Sequence, residues 1–180
     1  GDRLRDLTGE DWGHSLLGPM AATSGRHADA ATSLRRFCDL LEARNARGLL
    51  SSYAPMLGRS LCKLGRYDEA EPLARVGREL GSEQDLFTEM LWRQVEALVC
   101  SSRGYHAEAE TLAHEAVAHA ERTDGLNMQG DALSDLAEVL HAAGRSAEAR
   151  AALTEALDRY GRKMNLAQAA QTRARLAELE

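Results

Sequence analysis

Apolar residues recur along this chain at helical intervals. Counted from Ala149, the positions 3, 4, 7, 8 and 11 residues on are Ala152, Leu153, Ala156, Leu157 and Tyr160, the spacing of one face of a 3.6-residue helix. The same offsets from Ala109 give Leu112, Ala113, Ala116, Val117 and Ala120, and from Ala30 they give Ser33, Leu34, Phe37, Cys38 and Leu41. From Ala70 the stripe weakens to Leu73, Ala74, Gly77, Arg78 and Gly81. A second stripe precedes each of three copies: Ala54, Leu57, Gly58 and Leu61; Trp92, Val95, Leu98 and Val99, shifted by about one position; and Leu133, Leu136, Ala137 and Leu140. Amphipathic helices are therefore expected near residues 8–23, 27–44, 50–63, 67–80, 84–102, 106–122, 126–142, 146–160 and 164–179.

The punctuation between stripes repeats too. GRHADA at 25–30 returns as GRYDEA at 65–70, GYHAEA at 104–109 and GRSAEA at 144–149, with the glycines 40, 39 and 40 residues apart. Each unit reads as helix A, a tight turn on glycine, then helix B, the glycine taking the left-handed conformation that ends helix A. Ser51, Ser82 and Asp124 are expected N-caps, which places Pro55 in the first turn of the third helix, where its missing N–H costs little. Pro72 falls just past the first turn of its helix and should kink it. With Gly77 nearby, the second unit is expected to be the least regular.

These residues resemble the tetratricopeptide repeat. In LGRSLCKLGRYDEAEPLA, residues 57–74, Leu57, Gly58, Leu61, Gly65, Tyr67 and Ala70 fall on its signature positions. The period of 39–40 exceeds the usual 34, the phenylalanine four residues past the motif alanine is replaced, and the closing proline is missing. The resemblance implies an all-α, TPR-like superhelix of about nine antiparallel helices: four hairpins (units 8–45, 46–82, 83–123 and 124–161) and a closing helix at 162–180, one domain over residues 1–180. That last helix is the A helix of a fifth unit, serving as a polar end cap or as part of a longer array. More narrowly, residues 120–163 look like the C-terminal helical-repeat region of bacterial class III nucleotide cyclases or AAA/STAND-type ATPase regulators. No P-loop and no paired metal-binding aspartates of such catalytic modules occur, and the first residue is Gly1. The chain therefore reads as a piece of a longer protein.

Composition narrows the function. Apolar residues are 44% of the chain but aromatics only 4%, with three prolines, a helix-forming mixture rather than a sheet-forming one. Net charge is −6, and the basic doublet Arg35-Arg36 is read as a solvated helix face. A phosphate-tracking basic stripe is lacking, so nucleic acid is not an expected partner. Arg carries nearly all the positive charge, since Lys63 and Lys163 are the lysines; that bias suggests a GC-rich bacterial genome. Cys38, Cys62 and Cys100 lack CxxC spacing and read as reduced cytoplasmic thiols. No run is apolar enough to span a bilayer.

Candidate chemistry is sparse. His114 and His119 are five apart, on diverging faces, without the HExxH arrangement of a zinc site. His27 and His106 occupy the motif position of Tyr67 and are expected to pack flat against the turn. Cys62 and Cys100 read as core thiols. The acid pairs Glu108 with Glu110 and Asp131 with Asp135 read as solvated faces. No catalytic residue, metal ligand or cofactor is assigned.

The resemblance implies an open concave groove lined by A helices. Its positions here are Ser52, Pro55, Arg59 and Cys62; Leu91, Gln94, Leu98 and Ser101; and Asp131, Ser134, Glu138 and His141. Of these, Arg59, Gln94, Leu98, Asp131, Ser134, Glu138 and His141 are the partner-contact candidates. The implied function is a non-catalytic scaffold for a protein or peptide, possible partners including other domains of a larger bacterial signalling or transcriptional regulator. The alternative is a spacer or homodimerisation module without a peptide ligand.

Overall fold

The structure, a computed structural model, describes residues 9–179, with side chains from residue 13 onward. Residue 8, where the first helix was expected to begin, and residue 180 lie outside the described residues. Among the described residues nine helices follow one another: α1 (Gly9–Thr23), α2 (His27–Ala43), α3 (Arg47–Cys62), α4 (Tyr67–Leu80), α5 (Leu86–Ser102), α6 (His106–Glu121), α7 (Leu126–Ala142), α8 (Ser146–Lys163) and α9 (Leu166–Glu178). Neighbours in sequence pack on each other, tightest within the hairpins α1–α2, α3–α4, α5–α6 and α7–α8. The A helices also touch, α3 on α5 and α5 on α7. The result is a TPR-like all-α solenoid.

The glycine punctuation works as the sequence implies. Gly25, Gly65, Gly104 and Gly144 have φ between 73° and 82°, a region that costs a residue with a Cβ about 1–2 kcal/mol. At the second turn Gly65 N–H reaches Cys62 O and Arg66 N–H reaches Leu61 O, both at 2.9 Å, the paired bonds of a Schellman ending. The other three turns repeat this pair. The chain passes straight into helix B, whose N-cap is Arg26, Arg66, Tyr105 or Arg145, none with a side-chain cap. Three of these arginines instead pair with an acid three residues on: Arg26 with Asp29, Arg66 with Glu69 and Arg145 with Glu148. These exposed pairs contribute little stability.

Packing follows the stripes. The motif alanines Ala30, Ala70, Ala109 and Ala149 are fully buried, so each helix B sits close on its helix A. One core runs from Leu34, Phe37 and Leu41 through Leu57, Leu61, Val95 and Leu98 to Leu136, Leu140 and Leu153. Phe37 meets Tyr53 edge-on at 4.7 Å between ring centroids. Two small clusters flank it, one around Met90, Leu91 and Ala116 and one around Leu133, Ala156, Tyr160 and Ala169.

The cap assignments need correction. α3 starts at Arg47, three residues before the expected start, with Ala46 as N-cap. Ser51 therefore lies inside the helix, its hydroxyl donating to Gly48 O, and Pro55 is in mid-helix. For α5 the cap is Asp85, not Ser82, accepting from the N–H groups of Phe87 and Thr88. For α7 it is Gly125, not Asp124. A Schellman turn on Asn45 (φ 51°) delivers the chain into α3; such a turn needs no capping side chain.

α4 runs unbroken through Pro72 and is the shortest B helix, at 14 residues. Its Gly77 is what fits the mid-helix Pro55. A Cβ at residue 77 would stand 2.9 Å from Pro55 Cγ and 3.2 Å from both the Ser51 carbonyl oxygen and Trp92 Cβ. Pro55 has no N–H for that carbonyl four residues back, and α4 backs onto the spot. Gly77→Ala should gain about 1 kcal/mol of helix propensity but cost more through overpacking against groups that cannot turn aside. A net loss of about 1–2 kcal/mol in urea unfolding is expected; a stabilised variant would show that α3 and α4 can move apart.

Candidate interaction site on the inner face

The A helices bring their inward polar side chains to one place. Arg59 of α3 lies against α7: its Nε donates to Asp135 Oδ2 at 2.6 Å and Nη2 to Asp135 Oδ1 at 3.1 Å. Its Nη1 lies 3.4 Å from Asp131 Oδ2. Lys63, one turn on, places Nζ 2.7 Å from Asp135 Oδ1 and 2.6 Å from Glu138 Oε2. Gln94 of α5 donates from Nε2 to Asp135 Oδ2 at 2.9 Å. The Tyr160 hydroxyl of α8 donates to Asp131 Oδ1 at 2.6 Å. Four helices thus meet on two cations and three carboxylates.

Electrostatics rank these groups. Burial pushes the Asp135 carboxyl up, but Arg59 and Lys63 more than offset it and hold the group at about 2. Burial wins at Asp131, which is raised despite Arg59. Asp135 is the ionised hub, its side chain only 2% exposed. A buried pair of this kind is weak evidence of net stability but costs heavily when one member is removed.

Beside the cluster lies a cavity of about 340 Å³, lined by His27, Arg59, Lys63, Ser134, Glu138 and Tyr160 on one side and by Gln168, Gln171, Thr172 and Arg175 of α9 on the other. α9 crosses the inner face and reaches the α1–α2 turn: Asn165 Nδ2 donates to Thr23 O at 3.0 Å and Gln168 Nε2 to Ala22 O at 3.5 Å. Arg175 Nη1 donates to Ser134 Oγ at 2.7 Å. α9 therefore forms one wall of a half-open cleft on the inner face.

The candidate residues divide accordingly. Arg59, Gln94, Asp131 and Glu138 join one cluster, and Ser134 lines the cavity wall. Leu98 is buried in the main core; His141 is exposed and takes no part in the cluster. Of the other groove positions, Leu91, Pro55 and Cys62 are buried, and Ser52 bonds Thr88 at 2.7 Å between hydroxyl oxygens. The reading of Asp131 and Asp135 as a solvated pair is overturned. Asp135 and Lys63 were missed; the available signal was that Arg59 and Lys63 stand four apart on α3, as Asp131 and Asp135 do on α7, matching two turns of opposite charge.

The histidines of the turn motif also differ from expectation. His106 is exposed, so flat packing at that position is not general. His27 lines the cavity, its Nδ1 buried without a partner among the described residues, and its pKa falls to about 4 through burial and then Arg59 and Lys63. The folded chain keeps this imidazole neutral where the unfolded chain would charge it. Stability from that difference is intact above about pH 6.5 and is lost as pH falls toward 4. After discounting for the partial exposure of His27, about 1–2 kcal/mol should disappear between pH 7 and pH 5, and His27→Gln should remove that part of the dependence. Urea unfolding at the two pH values checks it; an unchanged slope in the variant assigns the titration elsewhere.

Burial raises the Cys38 and Cys62 thiols to about 12, which suppresses the nucleophilic thiolate. Cys100 is half-buried.

The paired helices, glycine turns and inward A-helix stripe are now in place from α5 to α8. Residues 88–162 match the tetratricopeptide-repeat family model. That stretch covers two hairpins and the Gly104 and Gly144 turns, and it supports assigning a tetratricopeptide-repeat domain. Repeats of this type generally mediate protein–protein contact, in keeping with a non-catalytic scaffold. No curated protein matches the chain. Among the described residues no helix is long and apolar enough to cross a membrane.

Proposed function

We propose that this chain is a non-catalytic interaction module whose inner face holds a protein or peptide, and that it serves as the regulatory part of a larger cytoplasmic bacterial regulator of the cyclase or AAA/STAND-ATPase kind. The carrying observation is the polar cavity on the A-helix side, walled by Ser134, Glu138 and His27. The buried thiols and the mutual pairing of Asp135, Arg59 and Lys63 support a framework role for these groups rather than catalysis. A second reading, self-association, is favoured by Leu16, Leu17 and Met20 on α1, each more than half exposed.

The test compares proteins captured by the intact chain, by Glu138→Trp and by Thr154→Trp. The first substitution fills the mouth of the cavity and leaves Lys63 paired with Asp135; the second sits on the exposed face of α8. A partner kept by Thr154→Trp and lost by Glu138→Trp supports the inner face. A partner kept by both removes that assignment, and loss only on Leu16→Glu with Met20→Glu favours self-association.

A further inference from the structure

The inner face already holds a helix. α9 packs on α8, and polar bonds tie it to α7 and to the α1–α2 turn. Asn165 donates to Thr23 O and to Asn127 Oδ1, Gln168 to Ala22 O, and Arg175 to Ser134 Oγ and, at 3.5 Å, to Ser134 O. The residues α9 buries are Gln168, Ala169 and Thr172; Leu176 and Leu179 are only partly covered by the main core. By contrast α8 buries Ala149, Ala152, Leu153, Ala156 and Tyr160.

The fit is also incomplete. The cleft of about 340 Å³ between α9 and the wall formed by His27, Ser134 and Glu138 is half open to solvent, so on this side α9 is not packed against the wall as a helix in a filled core would be. Arg175 has Ser134 as its partner and forms no ion pair among the described residues. Polar links across a partly empty interface exchange readily with water. Such an element belongs to the low-stability end of a fold.

We propose that the inner face is a helix-binding groove whose resident occupant is α9, displaced by an external amphipathic helix carrying the same polar stripe. That stripe is an amide, a hydroxyl and a guanidinium at i, i+4 and i+7, as in Gln168, Thr172 and Arg175. The proposal rests on the inner face being the interaction surface and names both its cis occupant and the chemistry of its partner. Binding in trans must then compete with α9 at an effective concentration of about millimolar, so the module is held closed until a partner is abundant or α9 is loosened.

The probe is a fluorescein-labelled synthetic peptide of residues 162–180, added to the full chain and to the full chain carrying Gln168→Ala with Arg175→Ala. In the unaltered chain, amide hydrogens of α9 are expected to exchange about 100-fold faster than those of α5 and α7. The peptide should bind the doubly substituted chain at least about tenfold more tightly than the unaltered one. Alanine in the peptide at the position of Arg175 should weaken binding by a similar factor. Exchange of α9 at the rate of α7, or no peptide binding by a folded variant, overturns the proposal. If the variant loses its helical circular dichroism, the exchange rates of the unaltered chain decide alone. A partner lost on Glu138→Trp while α9 exchanges no faster than α7 would keep the interaction surface and remove α9 as its occupant.

Discussion

Replacing Asp135 with alanine is expected to destabilise the fold by about 3–5 kcal/mol. Asp135 receives Arg59 Nε and Nη2, Lys63 Nζ and Gln94 Nε2 in one buried spot. Without it, the Arg59 guanidinium keeps only Asp131, whose own carboxyl is raised by burial. Lys63 keeps Glu138, and Gln94, already with an unpartnered Oε1 among the described residues, loses its acceptor. The loss arises from stranded charge rather than from missing attraction. Arg59→Met combined with Asp135→Leu should therefore cost less than Asp135→Ala alone, since Lys63 keeps Glu138 and Asp131, already raised by burial, keeps the Tyr160 hydroxyl. Urea unfolding followed by circular dichroism gives both values, with an unchanged denaturant slope confirming comparable unfolding. A cost below about 1 kcal/mol for Asp135→Ala would mean that water reaches the cluster. The pH dependence has a definite sign. A carboxyl held at about 2, below its ordinary 3.8, contributes stability that is complete above about pH 4 and is lost as pH falls toward 2.

The parts of the fold legible in the sequence are those governed by local geometry. Ala30, Ala70, Ala109 and Ala149 announce themselves because a residue at the tightest A–B contact must be small. Their glycines announce the turns because few residues tolerate φ near 75°. Helix starts were harder. Ser51 and Ser82 have the right side chains, yet α3 is launched by the Asn45 turn and α5 by the capping carboxylate of Asp85, three residues past Ser82. The site was half legible. Arg59 and Glu138 were placed on the inner face by repeat register, but Asp135 is one position off that register and was hidden among surface carboxylates. Burial of a charge depends on where α3 meets α7, 76 residues apart in the chain, and no local window carries that. The closure of α9 onto the α1–α2 turn is equally remote: Asn165 and Thr23 are 142 residues apart.

Tyr160→Ala should carry the other large penalty, about 3–5 kcal/mol, because this residue joins three helices. Its ring is 1% exposed and packs with Leu133 of α7, Ala156 of α8 and Ala169 of α9. Gly130 makes room for it, since a Cβ there would stand 2.7 Å from ring Cε1. Its hydroxyl holds Asp131, and its carbonyl accepts the Asn165 N–H at 2.9 Å where the chain turns into α9. Truncation empties the small cluster and removes a donor from Asp131 together. Tyr160→Phe separates the two effects. It keeps the ring and removes the one donor that Asp131 has from α8, for a loss of about 1–2 kcal/mol, with the Asp131 carboxyl more readily protonated. Because Ala169 rests on the same ring, exchange of α9 amides should quicken in Tyr160→Ala and stay near the unaltered rate in Tyr160→Phe. Equal penalties for the two variants would place the energy in the hydroxyl instead, and the junction of α7, α8 and α9 would then be held by the Asp131 bond rather than by packing.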